Sequence, residues 1–190
     1  MTSAGQRWAW RIATLTLALA AIVALVSGPY RQYFASTVAG SRADDRPEPC
    51  LPGEARPLLD SPHISQAQAQ SVRYNSDPPT SGPHFAFVVA PGIYSDEIAD
   101  GLAVHALEHG HVVIQYSPDT PPDTVDGLRV VAQRYAADVI LAPRAHLRDI
   151  ALTAWGRIDL LPTYDEARVV AFVNALRGRY NHGWAHASRC

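Results

Sequence analysis

The densest chemistry in this chain lies in Val104-His105-Ala106-Leu107-Glu108-His109-Gly110-His111. On a helix, His105 and His109 stand four residues apart on one face, about 5–6 Å apart at Cβ, so both can converge on one ion or ligand. Glu108, three residues from His105, shares that edge. His111 follows the glycine and is expected to turn elsewhere. His84 closes the stretch Asp77-Pro78-Pro79-Thr80-Ser81-Gly82-Pro83 and offers a third imidazole, and His63 is a further candidate. Neutral imidazole suits zinc, copper and nickel, and three histidines with an open position can support a metal-bound water. The expected site is therefore one copper or zinc ion held by His84, His105 and His109, with Glu108 as ligand or base. Met1 is the only methionine, which argues against a thioether-rich Cu(I) site in this domain.

Other readings compete. His105 and His109 continue a row with Ile98 and Leu102, so they also fit semi-buried structural histidines. His105-x-x-Glu108-His109 matches the inverted zinc-protease signature, but the chain is short for such an enzyme and Glu166 is the only later acid in a helical pattern that could complete the site. Arg144 and Arg157 each close an expected strand and could bind a carboxylate or phosphate in bidentate fashion, or pair with the domain's own acids. Ser81 lies near His84 without the Gly-x-Ser-x-Gly elbow of a serine hydrolase. Trp155 is expected in the core. No catalytic residue set is complete.

The elements that must position these residues follow from pattern. Prolines stiffen residues 77–83, and Gly82 is suited to a positive φ. Phe85–Ala90 is an apolar run expected as a strand. Asp96 to Gly110 is expected as a helix, with Ser95 as N-cap and Gly110 as its stop. A strand is expected over His111–Tyr116, an amphipathic helix over Thr124–Ala136, strands over Val139–Ala142 and Ile150–Trp155, and a last helix over Tyr164–Leu176. The late strand–strand–helix order is similar to a thioredoxin-like arrangement, without a Cys-x-x-Cys.

The N-terminus has its own character. Ile12 to Val26 carries no charge, and Thr14 and Thr16 are its only polar residues. Fifteen residues rise roughly 22 Å, short of a ~30 Å hydrocarbon core. Snorkelling by Arg11 and the uncharged residues 27–30 extend the span, and Trp8, Trp10, Tyr30 and Tyr33 suit the two interfaces. A cleaved secretory signal is the rival, but no good small-x-small site follows the run. Either way the remainder is exported. The expected organisation is a cytoplasmic N-terminus (1–11), a transmembrane helix (12–30), a tether rich in proline and polar residues (31–60), an extracytoplasmic domain (61–178) and a tail (179–190). The expected fold class is α+β, a small mixed sheet packed by about three helices behind a single-pass membrane anchor.

Composition narrows the partners. The formal net charge is −2 in 190 residues, which leaves no nucleic-acid footprint. The lipid bilayer is the one partner the sequence points to; it identifies no protein partner. The two cysteines, Cys50 and Cys190, permit a disulfide outside the cytosol.

Tyr74-Asn-Ser-Asp-Pro-Pro-Thr-Ser-Gly-Pro-His84, Gly92-Ile-Tyr94, Val104-His-Ala-Leu-Glu-His-Gly110, Leu141-Ala-Pro-Arg144 and Ala151-Leu-Thr-Ala-Trp-Gly-Arg157 together resemble the bacterial family named domain of unknown function 3105. The resemblance spans roughly residues 61–177. It implies a short protein with an N-terminal membrane segment and implies no reaction. Three functions follow as expectations: histidine-based binding of a transition metal, a metal-free ligand- or protein-interaction module, or a metal-dependent hydrolase.

Overall fold

The central strand reads Val-Val-Ile-Gln-Tyr, and all five of its residues are buried, as a strand covered on both faces must be. The computed structural model describes residues 50–180. Among them are six strands: β1 (Glu54–Ala55), β2 (Gly92–Ile93), β3 (Val112–Tyr116), β4 (Val139–Pro143), β5 (Ile150–Ala154) and β6 (Arg157–Leu161). The helices are α1 (Gln66–Ala69), α2 (Asp100–Glu108), α3 (Pro122–Arg134) and α4 (Glu166–Leu176). The strands form one mixed sheet in the order β1-β6-β5-β3-β4-β2. β2 and β3 flank β4 in parallel, whereas β5 runs antiparallel to both β3 and β6.

Successive residues of a strand face opposite sides of the sheet, and β3 divides the core accordingly. Val112, Ile114 and Tyr116 pack with Leu128 and Val131 of α3 and with Phe172 and Val173 of α4. Val113 faces the other way, with Ile140, Trp155, and Val104 and Leu107 of α2. Helix α2, which carries the histidine pair, thus covers one face of the sheet and rests on a rigid floor.

Several expected boundaries shift. Helix α2 starts at Asp100, with Ala99 as an N-cap lacking a side-chain bond, instead of at Asp96 behind Ser95. The acids there serve other partners: Asp100 pairs with Arg144, and Glu97 accepts the Ala145 N–H at 2.9 Å. The helix stop is as expected. Gly110 has φ +85°, its N–H reaches the Leu107 carbonyl (2.9 Å), and the His111 N–H reaches that of Ala106 (3.0 Å), the two bonds of a Schellman motif. Phe85–Ala90 is not a strand. Phe85 is buried there while Phe87 and Val88 are exposed, and the short strand β2 lies beyond it.

The expected strand at Ile150–Trp155 is the first arm of a hairpin. Its second arm, β6, contains Arg157 and Asp159, both buried, and these charges hid it from a hydrophobic pattern. Helix α3 begins two residues early, with Pro122 in its first turn, where a missing N–H costs nothing. Helix α4 begins at Glu166, capped by Asp165, which accepts the Arg168 N–H at 3.1 Å. Strand β1 lies in the stretch expected as tether and pairs with β6. Cys50 is disulfide-bonded. No helix among the described residues is long and apolar enough to cross a membrane, and the expected span, Ile12–Val26, lies outside those residues.

Candidate metal centre

His84 is placed by a loop that bonds largely to itself. The Asn75 side chain donates to Thr80 Oγ1 (2.8 Å), Ser81 Oγ (3.0 Å) and the Pro57 carbonyl (2.8 Å), while its oxygen accepts the Thr80 N–H at 3.2 Å. Ser81 Oγ also accepts the Leu59 N–H at 3.1 Å. The Tyr74 phenol donates to the Pro83 carbonyl at 3.0 Å, and burial, helped by Asp100, pushes its pKa up to about 12. Gly82 takes φ +129°. Arg144 ties the loop to α2 through Asp77 (2.6 Å) and Asp100 (2.7 Å).

His84 and His63 form an isolated parallel bridge. The His84 N–H donates to the Pro62 carbonyl (3.1 Å) and the Ile64 N–H to the His84 carbonyl (2.8 Å). This bridge brings His63 to the site. His105 comes from α2, and its ring lies 4.7 Å from that of His84 and 5.3 Å from that of His63, centroid to centroid. One ligand nitrogen from each of His63, His84 and His105 lies within 4.8 Å of the others. In a tetrahedral site with bonds of about 2.0–2.1 Å, donor atoms stand roughly 3.4 Å apart, so a closing movement of about an ångström suffices. The described residues thus bring together three histidines that could hold a metal ion.

The hydrogen bonds of the two buried rings fix which of their nitrogens is left over. His84 is fully buried. Its Nδ1 donates to the Gly82 carbonyl at 2.9 Å, so in the neutral ring Nε2 carries a lone pair. Burial pushes the His84 pKa down, against the opposing pull of that bond and of Glu108. Glu108 Oε2 lies 3.2 Å from Nε2. That is ion-pair distance for a doubly protonated ring, but burial favours the neutral one, and Nε2 is then without a hydrogen bond. Glu108 is itself buried and accepts a bond from Ser61 Oγ at 2.9 Å. His105 repeats the design. Its Nδ1 lies 3.3 Å from the Phe87 carbonyl, which leaves Nε2 to face His109 Nε2 at 3.0 Å.

Of the residues expected at the site, His84 and His105 sit in the cluster, Glu108 lies beside His84, and His109, exposed, lies beside His105. His63, also exposed, joins the cluster in the place expected of His109. His111 lies apart, and burial lowers its pKa against the pull of Asp138. Arg144 is paired with Asp77 and Asp100, and Arg157 donates to the Leu51 (2.9 Å) and Gly53 (3.3 Å) carbonyls. Ser81 is a buried scaffold for the loop. The residues that sequence reasoning missed are Ser61 and Tyr180. Tyr180 stacks on Trp155 at 4.8 Å, and its phenol is pushed up by burial and then by Glu108.

The family model described as "Protein of unknown function (DUF3105)" matches residues 65–189. The match continues past Arg177, where the resemblance was expected to end, and takes in most of the C-terminal tail. No curated protein and no solved structure matches the chain.

Proposed function

This chain belongs to the DUF3105 family of proteins of unknown function, and, with no activity to inherit from it, we propose that the domain binds one transition-metal ion through His63, His84 and His105. One observation carries the reading: the buried Nε2 of His84 has no hydrogen-bond partner and belongs to a ring whose neighbours are two further imidazoles. A structural histidine buried this deeply would have both nitrogens satisfied. A cation accepting the lone pair removes that penalty. Nitrogen donors of this kind suit copper or zinc. Glu108 supplies a negative charge beside His84, and His109 stands next to His105 as an additional donor.

The finer architecture belongs to the same proposal. The Ile12–Val26 segment tethers the domain to a membrane with the histidines outside the cytoplasm. The β3-α3-β4 unit followed by β5-β6-α4 has a thioredoxin-like order, used without a Cys-x-x-Cys. Resistance of the full chain to alkaline extraction from membranes tests the tether, and release into the supernatant would refute it.

The test of the centre is elemental analysis of the full chain, purified without an affinity tag and supplied with zinc or copper. About one equivalent is expected, with loss of most of it in His84→Ala and His105→Ala. Less than about a tenth of an equivalent in the parent chain would refute the centre.

A further inference from the structure

Three imidazoles stand in a row, His84, His105 and His109, with ring centroids 4.7 and 4.8 Å apart and planes tilted by 36° and 34°. The row runs from the interior to the surface. His84 and His105 are buried, and His109 is exposed. His105 is shared by two ligand sets. With His63 and His84 it forms the cluster in which one nitrogen of each lies within 4.8 Å of the others. With His109 it forms a pair whose Nε2 atoms are already 3.0 Å apart, inside the roughly 3.4 Å at which two donors stand on one tetrahedral ion.

The hydrogen between those two nitrogens has one owner. Nδ1 of His105 donates to the Phe87 carbonyl, so in the neutral ring its Nε2 holds a lone pair, and the N–H that meets it belongs to His109. In the metal-free protein His109 therefore occupies the direction in which His105 would bind an ion. An ion that takes this place displaces the proton from His109 Nε2, while Nδ1 of the same ring takes one up from solvent. The ring stays neutral, no net proton is released, and both Nε2 lone pairs point at the ion.

A buried centre also needs a way in. Stripping a cation of its water in one step is costly, whereas passing it from ligand to ligand keeps it coordinated throughout. His109 closes α2 at the surface, and exposed side chains change rotamer on a picosecond-to-nanosecond timescale. We infer that His109 is the exchange ligand of the metal centre: it takes the ion at the surface, shares it with His105, and yields it to His84 and His63. The inference rests on the metal-binding reading above and adds to it the route by which the ion enters and leaves. The centre then trades its ion with an acceptor whose donors compete with imidazole.

The experiment follows zinc transfer between the full chain and a chromophoric chelator, in both directions, by stopped flow. The proteins are the parent, His109→Ala, His109→Gln and His63→Ala. His109→Gln keeps an N–H for His105 and so guards against an unsettled helix end in His109→Ala. Both His109 variants should load and unload zinc at least about tenfold more slowly, the scale on which changes beside a metal site are felt. Equal slowing in the two directions should leave Kd within about threefold of the parent. His63→Ala removes a ligand of the resting centre and should instead raise Kd by at least about tenfold. Unchanged transfer rates in the His109 variants would overturn the inference. So would a Kd raised beyond about threefold in them, which would make His109 a permanent ligand. Either result leaves the three-histidine centre standing, and absence of metal from the parent chain would overturn both.

Discussion

Glu108→Gln separates the two roles that a carboxylate can have beside His84. In the metal-free protein the carboxylate oxygen and the Nε2 lone pair face each other at 3.2 Å, acceptor against acceptor. Leaving a buried acceptor unsatisfied costs about 1–3 kcal/mol. The replacement amide can keep the Ser61 bond through its oxygen and donate its N–H to Nε2. The metal-free variant should therefore be more stable than the parent by about 1–2 kcal/mol. For a domain of this size that is a rise of roughly 3–8 °C in melting temperature. The metal-bound comparison runs the other way. A unit charge about 4 Å from a cation is worth up to about 4 kcal/mol per unit charge at an effective dielectric of 20. After solvent screening, a loss of at least about tenfold in metal affinity, or about 1.4 kcal/mol, is expected. Thermal melts with a strong chelator present, followed by competition titrations, measure both effects on one preparation. A metal-free variant less stable than the parent would refute the acceptor–acceptor reasoning. Unchanged affinity would show that the carboxylate does not act on the ion.

Two further outcomes follow from the same geometry. His84 and His111 both have pKa values pushed below the ordinary 6.5 by burial, so the unfolded chain binds these protons more readily than the folded one. Their contribution to stability is complete above pH 6.5 and is lost as the pH falls through the depressed folded values. Urea midpoints of the metal-free protein should fall from about pH 7 to about pH 5, less steeply in His111→Gln, and a flat profile would contradict this. Arg144→Ala leaves Asp100 without its partner and detaches the His84 loop from α2. It should cost about 2–3 kcal/mol, below the roughly 3–5 kcal/mol of a fully buried pair because Asp77 is largely exposed, and an unmoved urea midpoint would show that the loop holds itself.

The site was legible in the sequence where it is local. His105, Glu108 and the Gly110 stop lie within one helical turn and its cap, and helix geometry alone places them. The loop before His84 announced itself through its prolines and Gly82. The partnership of His63 with His84 was not legible, because it depends on a two-residue parallel bridge across 21 positions of sequence. No periodicity records a contact of that kind. Strand β6 was hidden for a different reason. Arg157 and Asp159 look like loop residues until the Leu51 and Gly53 carbonyls and Arg168 supply their partners. Likewise Asp96 and Glu97 imitate a helix start, although the helix waits until Asp100 because Glu97 is engaged at Ala145.

The arrangement of the two buried imidazoles bears most directly on metal binding. His84 and His105 arrive from unrelated backbones, a proline-rich loop and a helix. Each directs Nδ1 to a main-chain carbonyl, of Gly82 and Phe87 respectively. Each therefore leaves Nε2 as its other ring nitrogen, that of His84 beside Glu108 and that of His105 facing His109 Nε2 at 3.0 Å, and such a main-chain bond is how a protein fixes the tautomer and the orientation of a ligating histidine. Two structural histidines meeting by chance would have no reason to share that pattern, and burying an unpartnered nitrogen would only destabilise the fold. Trp155 and Gln115 also bury unpartnered nitrogens, but these are N–H donors, which a cation cannot satisfy. Nε2 of His84 is a lone pair, aimed among other imidazoles and beside a carboxylate. Its cost is one that a bound ion, and no rearrangement of the surrounding apolar core, would offset.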